Sequence, residues 1–142
     1  MIKRVFETNR PIFFITDKRE FKACPDLNEE LSLVDVPFSS TATTLSLFCL
    51  PVFDEGDSNF NEVSIYVNEY LDKDELVNFY PIFNGILSLP SKAIEISESD
   101  MFVIFEKSFD VDGIGLTVFI EKDYDGDAPS KFIILINDKV EG

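Results

Sequence analysis

The chain has 142 residues, 45% of them hydrophobic and 27% charged, a globular composition that includes 15 Phe, 4 Tyr and no Trp. Lys plus Arg number 12 against 27 Asp plus Glu, leaving a net charge of -15, and there is no histidine. Such acidity argues against nucleic acid and anionic membranes, which need a basic surface, and the missing imidazole removes Ser-His, Cys-His and zinc-histidine chemistry.

Along the chain the dominant hydrophobic period is two, the signature of strands. Residues 2–6 and 12–15 open the series, followed by a helical turn around 25–31, where Pro25 suits a first helical position. Residues 31–36 and 44–50 read as further strands, and the polar run Asp54-Glu55-Gly56-Asp57-Ser58-Asn59 reads as a loop. Residues 62–67 set Val63, Ile65 and Val67 against Ser64 and Tyr66. A helix is expected next: Asp72 can cap it, Glu75 occupies its third position, Leu76, Phe79 and Tyr80 follow at helical spacing, and Pro81 ends it.

Residues 93–98 and 114–120 alternate cleanly, whereas 101–105 and 132–136 are apolar on both faces, which predicts central positions in a sheet. The short links at 110–113 and 123–130 predict that the last three strands form an antiparallel meander. The expected fold class is α+β: one domain over residues 1–142, a mostly antiparallel sheet with one or two short helices packed on one face.

Charge is unevenly spread. In residues 1–22, Lys3, Arg4, Arg10, Lys18, Arg19 and Lys22 outnumber Glu7, Asp17 and Glu20; in residues 23–100 only Lys73 and Lys92 offset the carboxylates. The basic N-terminal segment is placed to lie across an acidic body and neutralise part of it. Its mixed charge and alternating apolar residues fit neither a signal nor a transit peptide. Cys24 and Cys49 fall in no CxxC spacing and read as small buried hydrophobes with reduced thiols. With no apolar run long enough to span a bilayer, a soluble cytoplasmic protein is expected.

Three acidic motifs invite a chemistry. Asp123-Tyr124-Asp125-Gly126-Asp127 alternates carboxylates like a calcium loop, but Gly126 falls fourth rather than sixth and Ile134 stands where the final Glu belongs. Starting from Asp110 and Asp112, Gly115 and Glu121 fall correctly, yet Ile114 occupies a ligand position inside a strand pattern. Both read as Asp-Gly turns. The third cluster is Asp54, Glu55 and Asp57, followed by Glu62, Glu69, Asp72, Asp74 and Glu75. Paired carboxylates can serve a glycosidase or hold magnesium, but the chain lacks the Trp platforms of the former. No GxxxxGK[ST] or GxGxxG loop is present, so no nucleotide or other cofactor is expected.

The reading these features support is a binding protein rather than an enzyme, one that captures a basic protein partner by electrostatic steering. Its expected contact surface comprises Asp54, Glu55, Asp57, Phe60, Glu69, Tyr70, Asp72, Asp74 and Glu75, with the turn at residues 123–127 second. In size and acidity the chain resembles bacterial immunity proteins, the small acidic partners of nuclease toxins; that resemblance implies a nuclease toxin as the partner and transfers no residue roles. The competing expectations are a carboxylate enzyme using a divalent metal and a structural subunit of a larger assembly.

Overall fold

The computed structural model describes residues 1–8, 11–18, 38–40, 44–50, 60–98, 102–124 and 128–139, with 38–40 described in backbone only. Among the described residues, ten strands form two five-stranded sheets around one core. They are β1 (Ile2–Phe6), β2 (Ile12–Asp17), β3 (Phe38–Ser40), β4 (Thr44–Phe48), β5 (Asn61–Val67), β6 (Phe79–Ser88), β7 (Ala93–Glu98), β8 (Val103–Ser108), β9 (Gly113–Glu121) and β10 (Lys131–Asn137). Sheet A has the order β1-β5-β10-β9-β6 and sheet B the order β3-β4-β2-β7-β8. Sheet B is antiparallel throughout, whereas sheet A contains one parallel pair, β5 with β10.

Inward-facing residues of both sheets meet in a single cluster. Val63, Ile65, Leu116, Val118, Phe132 and Ile134 come from sheet A; Phe13, Ile15, Leu45, Leu47, Ile94 and Ile96 come from sheet B. Phe13 sits at the centre, with edge-to-face contacts to Phe6 at 5.4 Å and Phe132 at 4.9 Å between ring centroids. Five of the fifteen Phe belong to this cluster: Phe6, Phe13, Phe105, Phe109 and Phe132.

This is an all-β architecture, and the α+β expectation is overturned: no helix occurs among the described residues. The helix expected from Asp72 is instead a run of turns over residues 73–78, with Glu75 N donating to Asp72 O (3.1 Å), Leu76 N to Lys73 O (3.2 Å) and Phe79 N to Leu76 O (3.0 Å). Nine residues of helix would be marginal alone. Phe79 and Tyr80, which would have closed that helix, are instead claimed by β6, whose ladder along β9 runs from Phe79 opposite Glu121 to Ser88 opposite Gly113. The helical turn at 25–31 and the strand at 31–36 lie outside the described residues. Among those described, no helix is long and apolar enough to cross a membrane.

Topology brings two further corrections. The strand expected at 101–105 is β8, at the edge of sheet B rather than its centre; Phe102 just before it is 71% exposed. Nor does it form a hairpin with β9. Instead, two sheet changes lie side by side here: residues 89–92 carry the chain from β6 to β7 and residues 109–112 carry it back from β8 to β9. The two corners are stitched by Leu89 N donating to Asp112 O and Phe109 N donating to Lys92 O, both at 2.7 Å. Only the second half of the expected meander, β9 with β10, is an antiparallel pair, and Glu121 closes it by accepting from Ser130 N at 2.9 Å and Ser130 Oγ at 3.2 Å.

At one side of the sandwich the edge strands β1 and β8 approach each other. On β8 the register slips beside Ile104, since Ile96 faces Phe105 while Ser97 faces Val103. The Ile104 carbonyl is turned to Arg4 Nε, which donates to it at 2.9 Å across the gap between sheets. Charged side chains on both edges also discourage further strand addition. Two further cations near the start of the chain are paired, Lys3 with Glu62 at 2.7 Å and Lys18 with Glu106 at 3.5 Å, while Arg10, Arg19 and Lys22 lie outside the described residues.

Candidate binding surface

The connection from β5 to β6 sets up the candidate surface. β5 is parallel to β10, β10 antiparallel to β9, and β9 antiparallel to β6, so β5 and β6 point the same way with two strands between them. Residues 68–78 must therefore travel about 14 Å across the sheet and about 17 Å back along it. The inner face of sheet A is filled by the core, so the segment passes over the outer face as a strap. Two residues are buried there without belonging to the core cluster: Leu71 on the strap and Ile133, which points outward from β10.

The strap is anchored at its start by Asn68. Its φ of 54° is left-handed, a conformation asparagine tolerates better than most residues. Asn68 N donates to Ile136 O at 2.7 Å, and Asn68 Oδ1 accepts from Asp138 N at 3.0 Å, which ties the ends of β5 and β10 together. At the far end, Lys122 N donates to Asn78 O at 2.8 Å. Between these anchors the side chains of Glu69, Tyr70, Asp72, Asp74 and Glu75 are exposed, Tyr70 at 92%. Glu69 meets the Met1 amino group at 3.0 Å, but Asp72, Asp74 and Glu75 enter no ion pair among the described residues.

Their field is felt by Tyr66, which lies on the outer face of β5 beneath the strap. Burial raises its pKa first, and the carboxylates of Glu75 and Glu69 raise it further, against a smaller lowering by Lys3. Lys3, held by its hydrogen bond and charge pairing with Glu62, is itself raised.

Six of the nine residues expected to form one contact surface are described. Glu69, Tyr70, Asp72, Asp74 and Glu75 share the strap, while Phe60 stands at the opposite end of β5, about 20 Å from the strap's start. Asp54, Glu55 and Asp57 lie outside the described residues, as do Asp125 and Asp127 of the second turn; Asp123 is exposed just past β9, at the Phe60 end. Neither calcium-like pattern acquires a described site. Ile114 is fully buried in the core, and the Glu121 carboxylate is engaged by Ser130. Among the described residues no group of three or more His, Cys, Asp or Glu is placed to hold a metal ion. Cys49 is a free thiol within the core, its pKa driven up by burial and by the nearby Glu98; Cys24 lies outside the described residues.

One feature escaped the sequence entirely. Between the start of the strap and the outer face of sheet A runs a groove of about 470 Å³, lined by Tyr70, Asn84, Thr117, Leu135, Asn137 and Lys139 among others. These residues come from the strap, β6, β9, β10 and the chain beyond it, and no local spacing connects them.

The chain matches no protein-family model, no curated protein and no solved structure. The likeness to immunity proteins accordingly stays one of size and acidity.

Proposed function

We propose that this chain is a non-catalytic binding protein that captures a basic protein partner through the acidic strap over sheet A. The observation that carries this reading is the composition of the strap's exposed side: Asp72, Asp74 and Glu75, opposed locally by Lys73 alone, beside the almost fully exposed ring of Tyr70. A single-sign patch steers an oppositely charged partner during approach, and a rigid aromatic supplies the contact that retains it. The anchors at Asn68, Leu71 and Asn78 hold the patch in shape beforehand, which lowers the ordering cost of binding. A cytoplasmic setting suits the free, buried Cys49 thiol.

The test compares the native chain with the Asp72→Asn, Asp74→Asn, Glu75→Gln variant as baits for proteins of the source cell. A basic protein retained at about 50 mM salt, released near 300 mM and lost by the variant is the expected result. With the purified partner, the variant should associate roughly tenfold more slowly at low salt, while the dissociation rate changes little. Equal capture by both baits, or capture indifferent to salt, would show that the strap's charge serves only solubility. Assaying the captured partner for nuclease activity then decides whether the relation to toxin inhibition extends beyond acidity.

A further inference from the structure

The groove beside the strap has a polarity opposite to that of the strap itself. Three asparagines line it: Asn68, Asn84 and Asn137. In each, the side-chain carbonyl oxygen is already engaged. Asn68 Oδ1 accepts from Asp138 N at 3.0 Å, Asn84 Oδ1 from Thr117 Oγ1 at 3.1 Å, and Asn137 Oδ1 from Lys139 N at 2.9 Å. These bonds fix each amide's orientation and leave its two N–H donors without a protein partner among the described residues. The site is thus rich in preset donors and ready for a ligand rich in acceptors.

The remaining lining narrows the class. Leu135 and Gly115, both outward-facing, give an apolar floor, and Tyr70 offers an open aromatic face at the rim. Lys139 and Glu69 place one charge of each sign there, so the groove does not select for a charged ligand, and phosphate-bearing molecules face the net charge of -15. An extended peptide would gain most from an open sheet edge, where main-chain groups are unpaired, but this groove lies on the face of the sheet over β9 and β10, whose ladders are satisfied on both sides. A pyranose ring combines what is left: hydroxyl acceptors around its rim for the amide donors, hydroxyl donors for the Glu69 carboxylate, and C–H faces for Tyr70 and Leu135.

We infer that the groove between the strap and the outer face of sheet A is a binding site for a neutral saccharide, held by the amides of Asn68, Asn84 and Asn137 and stacked on Tyr70. The site shares Tyr70 with the proposed partner surface but does not involve Asp72, Asp74 or Glu75, so variants of those three carboxylates and of Asn84 test the two readings separately.

The experiment is a titration of the 15N-labelled full chain with cellohexaose, maltohexaose and chitohexaose, each to about 10 mM, following the asparagine side-chain amide signals. At least one hexasaccharide should shift all three asparagines and saturate with a Kd near or below 1 mM, a usual strength for one shallow subsite. Tyr70→Ala should weaken it about tenfold, and Asn84→Ala comparably; because both residues are exposed, the variants' backbone spectra serve as a check that the fold is kept. No shift with any of the three sugars would overturn the inference. So would an equal response to triglycine, which carries amide carbonyl acceptors without a ring, or shifts that persist unchanged in both variants.

Discussion

The outer face of sheet B is closed at β2 and β7: Phe14, Thr16 and Ser97 have no exposure and Glu95 only 5%, so both strands are buried along their whole lengths. The outer face of sheet A is open, and β5 and β9 alternate between buried and half-exposed residues. Both sheets contribute to one core, yet among the described residues the central strands β9 and β10 of sheet A keep half-exposed outward residues where β2 and β7 of sheet B keep none. The difference is not announced by polarity. Residues 93–98 read Ala-Ile-Glu-Ile-Ser-Glu, an amphipathic alternation, and every one is buried. Their polar groups form a layer of their own, where Thr16 stands opposite both Thr44 and Glu95, the two threonine hydroxyls are 2.8 Å apart, and Glu106 follows at the edge.

Several substitutions put that contrast to the test. The largest effect belongs to the shared core: Phe13→Ala should cost about 3–5 kcal/mol in urea unfolding, because the ring bridges both sheets. A cost below about 1 kcal/mol would mean that the sheets do not depend on one another. Next comes Asp17, fully buried at the end of β2, whose Oδ1 accepts from Ser91 N at 3.0 Å and Ser91 Oγ at 2.7 Å. Asp17→Ala strands those donors and should cost about 2–3 kcal/mol.

On the open side, Asn68→Ala loses the bond from Asp138 and forces alanine into a left-handed backbone, a cost of about 1–2 kcal/mol. Asn68→Gly keeps the backbone at ease and should lose roughly half as much. If both variants behaved alike, the strap's anchor would owe nothing to that backbone angle. Ser97→Ala reverses the usual sign. Its buried hydroxyl has no hydrogen-bond partner among the described residues, so removing it should leave stability unchanged or raise it by up to about 1 kcal/mol. A measurable loss would show that the closed face satisfies this group.

The smallest effect is a titration. Tyr66 is raised above tyrosine's ordinary pKa by burial and then by Glu75 and Glu69, so the folded state holds its proton more tightly than the unfolded chain. Whatever stability that carries is complete below the ordinary value and drains away as pH rises through the raised one. Glu75→Gln should move the Tyr66 titration downward, as followed by the ring carbon signal against a Tyr66→Phe reference. An unmoved titration would place the strap's carboxylates away from β5.

How much could be read beforehand depended on the element. The strands at 2–6 and 93–98 coincide with β1 and β7, and 114–120 lies within β9, because a period of two between turn residues needs no knowledge of neighbours. Residues 79–88 were concealed. Pro81 within them marked a helix end, whereas β6 accommodates it at an edge with the register shifting between Pro81 and Phe83. Residues 101–105 misled in the opposite way: an apolar run usually denotes a central strand, but here it lies at an edge with Phe102 and Val103 exposed. Of the candidate site, the acid-rich strap was legible as composition. Its separation from Phe60, and the groove assembled from Asn68, Asn84 and Asn137, were not, since both depend on where β5 begins and ends relative to β6, β9 and β10.

By itself the sequence determined the acidity, the absence of imidazole chemistry, the reduced and buried character of Cys49, and the sites of most strands. These follow from composition and from periodicities a few residues long. Only the tertiary structure decided that the strands divide into two sheets, that the chain changes sheet at 89–92 and 109–112, and that residues 68–78 become a strap instead of a helix. Those outcomes rest on pairings between residues far apart in the chain, and a local propensity worth a few tenths of a kcal/mol per residue yields to a ten-residue strand ladder.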